Sequence, residues 1–226
     1  MRKKRIIISN SEYRARVSRM SEELRKGFDF LERFERDRVV TIFGSAQIAE
    51  GHPIYNEAMA LGRMLAEEGI TVVTGGGPGI MEAANRGADE AGGRSVGINI
   101  YLKVQERQNQ YVNESIGFHY FFARKIILAH IAQAYIYFPG GFGTLDEFFE
   151  ISTLISTAKI DKKLPVVLIG KDYWETLRRW LQKTPVEKYK TVAKNKLDIW
   201  TTTDSITEAF EIVKKIPRKI HRHESI

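Results

Sequence analysis

Pro139-Gly140-Gly141-Phe142-Gly143-Thr144-Leu145-Asp146-Glu147 follows an apolar run, Ala134-Tyr135-Ile136-Tyr137-Phe138, and leads into Phe148-Phe149-Glu150-Ile151. The first flank has the length and composition of a buried strand, and the second opens an amphipathic helix. A strand therefore turns abruptly into a helix. Glycine at 140, 141 and 143 allows positive φ and a close approach to main-chain N–H groups, while the helix start adds unpaired N–H groups and the positive end of a dipole. Such a loop is suited to an anion, phosphate above all. The plainer reading is a tight strand-to-helix turn that holds nothing.

Glu147 admits two readings. Thr144 and Glu147 have the T-x-x-E spacing of a capping box, which would close the helix start and need no chemistry. Alternatively, a carboxylate at the rim of a phosphate cradle stands where it can handle water or ribose hydroxyls. Spacing leaves both open.

Outward from this loop, strands and helices alternate. Strands are expected at 39–43, 70–73, 95–100, 134–138, 165–169 and 199–201. Helices are expected at 55–68, 82–91, 121–133, after Gly143, at 173–183 and at 205–215. This order predicts an α/β, Rossmann-like, doubly wound and mostly parallel sheet covered by helices on both faces. Ahead of it, Tyr13, Val17, Met20, Leu24, Phe28 and Leu31 recur at helical spacing over 13–36, an extra helix that packs on the sheet or on a second subunit. Residues 103 to 116 are polar and aperiodic, and read as a substrate-side loop. The division is 1–37 for a basic segment and helix, 38–216 for the nucleotide-binding catalytic domain, and 217–226 for a basic tail.

Two further glycine-bearing stretches follow expected strands directly, Gly44-Ser45 and Gly75-Gly76-Gly77-Pro78-Gly79-Ile80-Met81. In a doubly wound sheet the loops at the carboxyl ends of the strands share one edge, so all three should surround a common crevice. The second stretch is a poor dinucleotide fingerprint. It follows the second strand, lacks the full G-x-G-x-x-G, and the next strand ends in Asn99-Ile100 without an acid for a ribose. A Walker lysine is also missing, and a mononucleotide or sugar phosphate suits these short loops better.

Arg124-Lys125 is a basic pair inside an apolar helix, costly unless it faces an anion or reaches the surface from an exposed stripe. His119 and His130 flank that helix and read as structural. His221 and His223, in the tail, make a poor metal site.

The 226 residues, 43% of them hydrophobic, suit one three-layer domain with a short appendage. Without cysteine, disulfides and thiolate metal sites are excluded, and an intracellular setting is favoured. The basic start Arg2-Lys3-Lys4-Arg5 leads into too few apolar residues for a signal core, and no run is long enough to span a membrane, so a cytoplasmic protein with no membrane partner is expected. The net charge of +7 is concentrated at the ends and comes with no nucleic-acid motif, which disfavours a nucleic-acid partner.

These residues together resemble the Lonely Guy family of cytokinin riboside 5'-monophosphate phosphoribohydrolases, once labelled lysine decarboxylases. The family pattern P-G-G-x-G-T-x-x-E is complete at 139–147, its upstream arginine-lysine pair matches Arg124-Lys125, and residues 75–81 resemble its second glycine-rich loop. The Tyr-Phe-Phe-x-Arg-Lys context and the extra first helix are similar to the longer bacterial branch. The resemblance implies hydrolysis of the N-glycosidic bond of a nucleoside 5'-monophosphate, AMP-like or a cytokinin riboside monophosphate, to free base and ribose 5-phosphate. It implies Arg124 and Glu147 as the catalytic pair. Gly44, Ser45, Gly76, Gly77, Gly79, Met81, Lys125, Gly140, Gly141, Gly143 and Thr144 would hold the substrate and its phosphate. No metal or cofactor is called for, and a homodimer or larger homo-oligomer is expected. The alternative is a protein that binds or senses a nucleotide in the same cradle without cleaving it.

Overall fold

A computed structural model describes residues 10–101 and 108–217. The basic start at 2–5, part of the polar stretch at 103–107 and the tail with His221 and His223 lie outside the described residues.

Seven strands form one sheet: β1 (Arg38–Phe43), β2 (Ile70–Thr74), β3 (Ser95–Ile100), β4 (Glu114–Phe118), β5 (Ala134–Tyr137), β6 (Val166–Ile169) and β7 (Thr201–Thr203). Their order is β4-β3-β2-β1-β5-β6-β7, and every pairing is parallel. The chain steps outward from β1 to β4, then returns to place β5 against β1 and steps outward again. The direction of winding reverses between β1 and β5, where an open α/β sheet leaves its crevice.

The sheet is buried on both faces, which is why its central strands are nearly continuous runs of Val, Ile and Tyr. Val40, Ile42 and Val72 point to one core with α2 (Pro53–Glu67), α3 (Ile80–Glu90) and α7 (Ile206–Val213). Val39, Phe43 and Val73 point to the other, which includes Phe30 of α1 (Asn10–Leu31), Ile127 of α4 (Phe121–Ile131), Phe148 of α5 (Phe142–Ser156) and Trp174 of α6 (Lys171–Leu181). Pro53 at the first position and His52 Nδ1, which accepts from Ile54 N, set the start of α2 two residues before the expected one.

The departures from expectation have local causes. The stretch expected as a polar loop over 103–116 ends inside β4, an edge strand paired on one side only and carrying apolar side chains only at Ile116 and Phe118. The last strand is Thr201–Thr203 instead of 199–201, and Trp200 instead packs its ring 5.2 Å from that of Phe148. Past Leu181 the helix continues as a π-helical segment, Gln182–Lys188. The first helix stops at Leu31 and ends in a short 3₁₀ turn, Glu32–Phe34. Its buried side is set by Gly27, Phe30 and Phe34, whereas Tyr13, Val17 and Phe28 of the anticipated stripe remain 61%, 43% and 48% exposed. Gly27 matters because α4 presses there: a Cβ would lie 2.6 Å from Ile127 Cγ1.

Candidate active site

Three loops meet at the carboxyl ends of β1, β2 and β5, tied by backbone hydrogen bonds through one residue. Ser45 N donates to Pro139 O at 3.0 Å, and Ser45 O accepts from Ile80 N at 3.0 Å. Gly79 permits the second contact: its φ is +72°, and a Cβ there would lie 2.4 Å from Ser45 O. Between the loops lies a cleft of about 350 Å³, bordered by Gly44, Ser45, Met81, Arg124, Gly141, Gly143, Thr144 and Glu147. Phe43, Ala46, Gln47, Gly75, Ile100, Phe121 and Asp146 complete the wall. Of the residues missed by sequence reasoning, Gln47 was within reach by following the loop past Gly44-Ser45. Phe121 was signalled by the aromatic run Tyr120-Phe121-Phe122.

The start of α5 forms the floor of the cradle. Gly141 is the N-cap, no side chain caps the helix, and the first helical bond is donated by Leu145 N to Gly141 O at 3.1 Å. The N–H groups of Phe142, Gly143 and Thr144 therefore lack intrahelical acceptors at the positive end of a 15-residue helix, the usual disposition for binding an anion. This corrects the capping-box expectation. Thr144 is the third residue of the helix, too far in to cap it, and its Oγ1 packs over Gly140, where a Cβ would stand 2.1 Å away.

Glu147, one turn further along α5, is freed from a capping role. It is 7% exposed, and its Oε2 has no hydrogen-bond partner among the described residues. Burial is the main influence on its carboxyl and pushes the pKa up from 4.5 to about 7. The cations Arg124 and Lys125 oppose that rise, and the neighbouring carboxylates Glu150 and Asp146 add to it. A carboxyl that ionises near neutrality, buried beside an anion cradle, is equipped for proton transfer.

Arg124 is aimed by two main-chain carbonyls. Its Nε donates to Ile98 O at 2.7 Å and its Nη2 to Gly75 O at 3.5 Å, which lays the guanidinium along the cleft wall. The helix that carries it is held from outside by α1. Glu23 accepts from His119 N at 2.9 Å and from Tyr120 N at 3.2 Å, just ahead of α4.

The remaining expected contacts fall outside the cleft lining. Lys125 Nζ turns to Asp146 Oδ2 at 2.9 Å and Glu150 Oε2 at 3.0 Å, the acids on either side of Glu147. Gly140 uses its carbonyl to accept from Tyr173 Oη at 2.6 Å. Gly76 donates its N–H to Thr74 Oγ1 at 2.9 Å, and Gly76 O and Gly77 O accept from Asn109 N and Asn109 Nδ2 at 2.8 and 2.9 Å. Asn109 also donates to Asn85 Oδ1 at 3.0 Å, and Asn85 in turn accepts from Thr74 Oγ1 at 2.6 Å. The second glycine loop is thus clamped from behind by a buried polar network, and its N–H at Gly76 is committed to that network.

Comparison with known proteins fits this geometry. The family model described as possible lysine decarboxylase matches residues 81–213. A cytokinin riboside 5'-monophosphate phosphoribohydrolase from Rhodococcoides fascians is 30% identical over 157 residues, covering 68% of this chain and 79% of that protein. The chain belongs to the Lonely Guy family. A relative of the same enzymatic name from Arabidopsis thaliana is 29% identical over 84% of this chain and 86% of its own length. Among solved structures, the molybdenum cofactor binding protein of Rippkaea orientalis aligns with a TM-score of 0.60 at 23% identity, covering 79% of this chain and 96% of that one. The molybdenum cofactor carrier protein of Chlamydomonas reinhardtii aligns with a TM-score of 0.57 at 22% identity, covering 80% and 98%. This Lonely Guy chain therefore has the same α/β fold as those two proteins. No described helix is long and apolar enough to cross a membrane.

Proposed function

We propose that this protein hydrolyses the N-glycosidic bond of a nucleoside 5'-monophosphate, AMP-like or a cytokinin riboside monophosphate, releasing free base and ribose 5-phosphate. The observation that carries the reading is Glu147: buried, unpaired at Oε2 among the described residues, and one turn from the uncapped start of α5. The phosphate sits on the N–H groups of Phe142, Gly143 and Thr144, beside Ser45 and Gly44. That contact fixes the ribose over Glu147. As the bond from C1' to the base breaks, its electron pair leaves with the base and positive charge spreads over the ribose ring. Ionised Glu147 stabilises that charge and takes a proton from the water whose oxygen adds to C1', and that proton passes on through solvent to the departing base, which leaves neutral and restores the carboxylate. Arg124, anchored at Ile98 O and Gly75 O, offers a cationic donor to the departing base. Lys125 acts on Glu147 through its own charge and by pairing with Asp146 and Glu150, and does not touch the ligand.

The decarboxylase description does not carry over to this reading. A Schiff-base lysine needs a lowered pKa, and Lys125 has a raised one: burial lowers it, but the hydrogen bonds it donates to Asp146 and Glu150 outweigh that. A homodimer or larger assembly also belongs to the proposal, supported by exposed Tyr13, Val17 and Phe28 on α1. Light scattering at micromolar concentration tests it, and a monomer would overturn it. For the reaction, incubation with AMP followed by separation of bases and sugar phosphates should yield adenine and ribose 5-phosphate in equal amounts. Binding of AMP without base release would make the protein a nucleotide carrier or sensor instead.

A further inference from the structure

A second cavity of about 240 Å³ adjoins the cleft, and the two share Gly75 and Ile100 as common wall. It is bordered by the last residues of β3, by Ser115 to Gly117 of β4 and by Gly75 to Gly77 after β2, and Gly75 O accepts from Arg124 Nη2. Its apolar walls are Ile100, Ile116 and the ring of Tyr101, which is laid so closely over Gly117 that a Cβ there would meet it at 2.3 Å. Two carboxamides face one another across it. Asn99 Nδ2 donates to Gln108 Oε1 at 2.6 Å, and neither side chain has another partner among the described residues.

That pair offers a ligand one particular pattern. With one N–H···O bond spent between them, Asn99 Oδ1 remains as an acceptor and Gln108 Nε2 as a donor. Exchanging O and N in both amides simply swaps the two roles, so the pair always presents one donor beside one acceptor. The Asn99 side chain and the backbone beside Gln108 are held in place. Asn99 Oδ1 rests against Gly76, where a Cβ would come within 1.7 Å of it. Gln108 precedes Asn109, whose backbone and side chain are fixed to Gly76 and Gly77. The pocket is part apolar, part aromatic, and offers a donor beside an acceptor, the pattern with which amide side chains read a nucleobase edge.

We propose that Asn99 and Gln108 read the base of the nucleotide, pairing with the edge of a purine six-membered ring that carries an exocyclic group beside a ring nitrogen. This rests on the reading of the cleft as a nucleoside monophosphate site. The phosphate and ribose occupy the cleft over α5, and the base passes Gly75 and Arg124 into the second cavity.

Equilibrium binding and base release, measured separately, distinguish the two readings. The ligands are AMP and purine riboside 5'-monophosphate, which lacks the exocyclic amine. The wild-type protein should bind AMP at least about tenfold more tightly. Gln108→Leu and Asn99→Asp, each checked for an unchanged melting temperature, should remove that preference, with the affinity of purine riboside 5'-monophosphate altered less than threefold. Ribose 5-phosphate, which lacks the base, should bind all three proteins equally. Preference for AMP retained in both folded variants, or no preference in the wild type, would overturn the base reader and leave hydrolysis standing. Altered preference without base release from either nucleotide would do the opposite.

Discussion

Lys125 and Asp146 form an ion pair of 2.9 Å that ties α4, which carries Arg124, to α5, which carries Glu147. Lys125 is only 16% exposed at its side chain and also lies 3.0 Å from Glu150, so a single cation compensates both acids flanking Glu147. The arginine-lysine pair that stands out in the sequence thus splits its work. Arg124 borders the cleft, and Lys125 sets the field around the carboxylate.

Replacing Lys125 by methionine should therefore change the pH dependence of the reaction more than its substrate binding. Lys125 is one of the cations holding the Glu147 carboxyl down against burial, and two acids are uncovered when it is lost. The acid limb of base release, set by ionisation of Glu147, should move to higher pH, and the rate at pH 7 should fall about tenfold with KM within a factor of three. A pH–rate profile that superimposes on that of the wild type would remove Lys125 from the mechanism.

The phosphate should dominate recognition. Hydrogen bonds to a charged group contribute about 1.5 to 3 kcal/mol each, so losing two from the α5 cradle corresponds to a hundredfold or more in kcat/KM. Comparing AMP with adenosine at equal concentration measures this. Equal turnover would mean that the N–H groups of Phe142, Gly143 and Thr144 do not hold the substrate.

The sequence revealed the sheet and its crevice because strand-length apolar runs ended in glycine three times, and parallel topology brings such ends to one edge. It failed where tertiary contacts decide. Thr144 and Glu147 have capping spacing, but the helix begins at Phe142, three residues before the Leu145 at which a helix capped by Thr144 would start, with Gly141 in the N-cap position. Gly76 looked like a phosphate ligand, yet its N–H is taken by Thr74, a partner two residues away that only the folded turn brings into range. β4 was illegible because an edge strand with three polar or glycine positions has almost no hydrophobic period. The clamp by Asn109 lay in a stretch whose polarity suggested a loop and whose burial nothing in the sequence announced.

Asn109 is the test of that clamp. Changing it to alanine takes the side-chain donor from Gly77 O in a buried setting and leaves Asn85 Oδ1 with Thr74 Oγ1 alone, which should cost about 1 to 3 kcal/mol of stability. Urea unfolding should show a lower midpoint with an unchanged slope. A midpoint equal to that of the wild type would show that water replaces the amide at no cost and that the glycine loop holds its shape unaided.

Glu147→Gln separates chemistry from structure. The folded pKa of about 7 lies above the ordinary 4.5, so between these values the folded chain holds a proton that the unfolded chain releases. Stability should therefore fall as pH rises through that window and reach its full loss above it, by at most roughly 3 kcal/mol. Glutamine keeps the shape and never ionises. At pH 5, where Glu147 is protonated in the fold, the variant and the wild type should melt close together. At pH 8, where the buried carboxylate is charged, the variant should melt higher. Base release should behave in the opposite sense and fall a hundredfold or more at pH 8, because the charge that burdens the fold is the one that stabilises a cationic ribose and accepts the proton of water. Equal melting at pH 8 would contradict the buried, unpaired carboxylate. Base release near the wild-type rate at pH 8 would contradict its catalytic role whatever the melting shows.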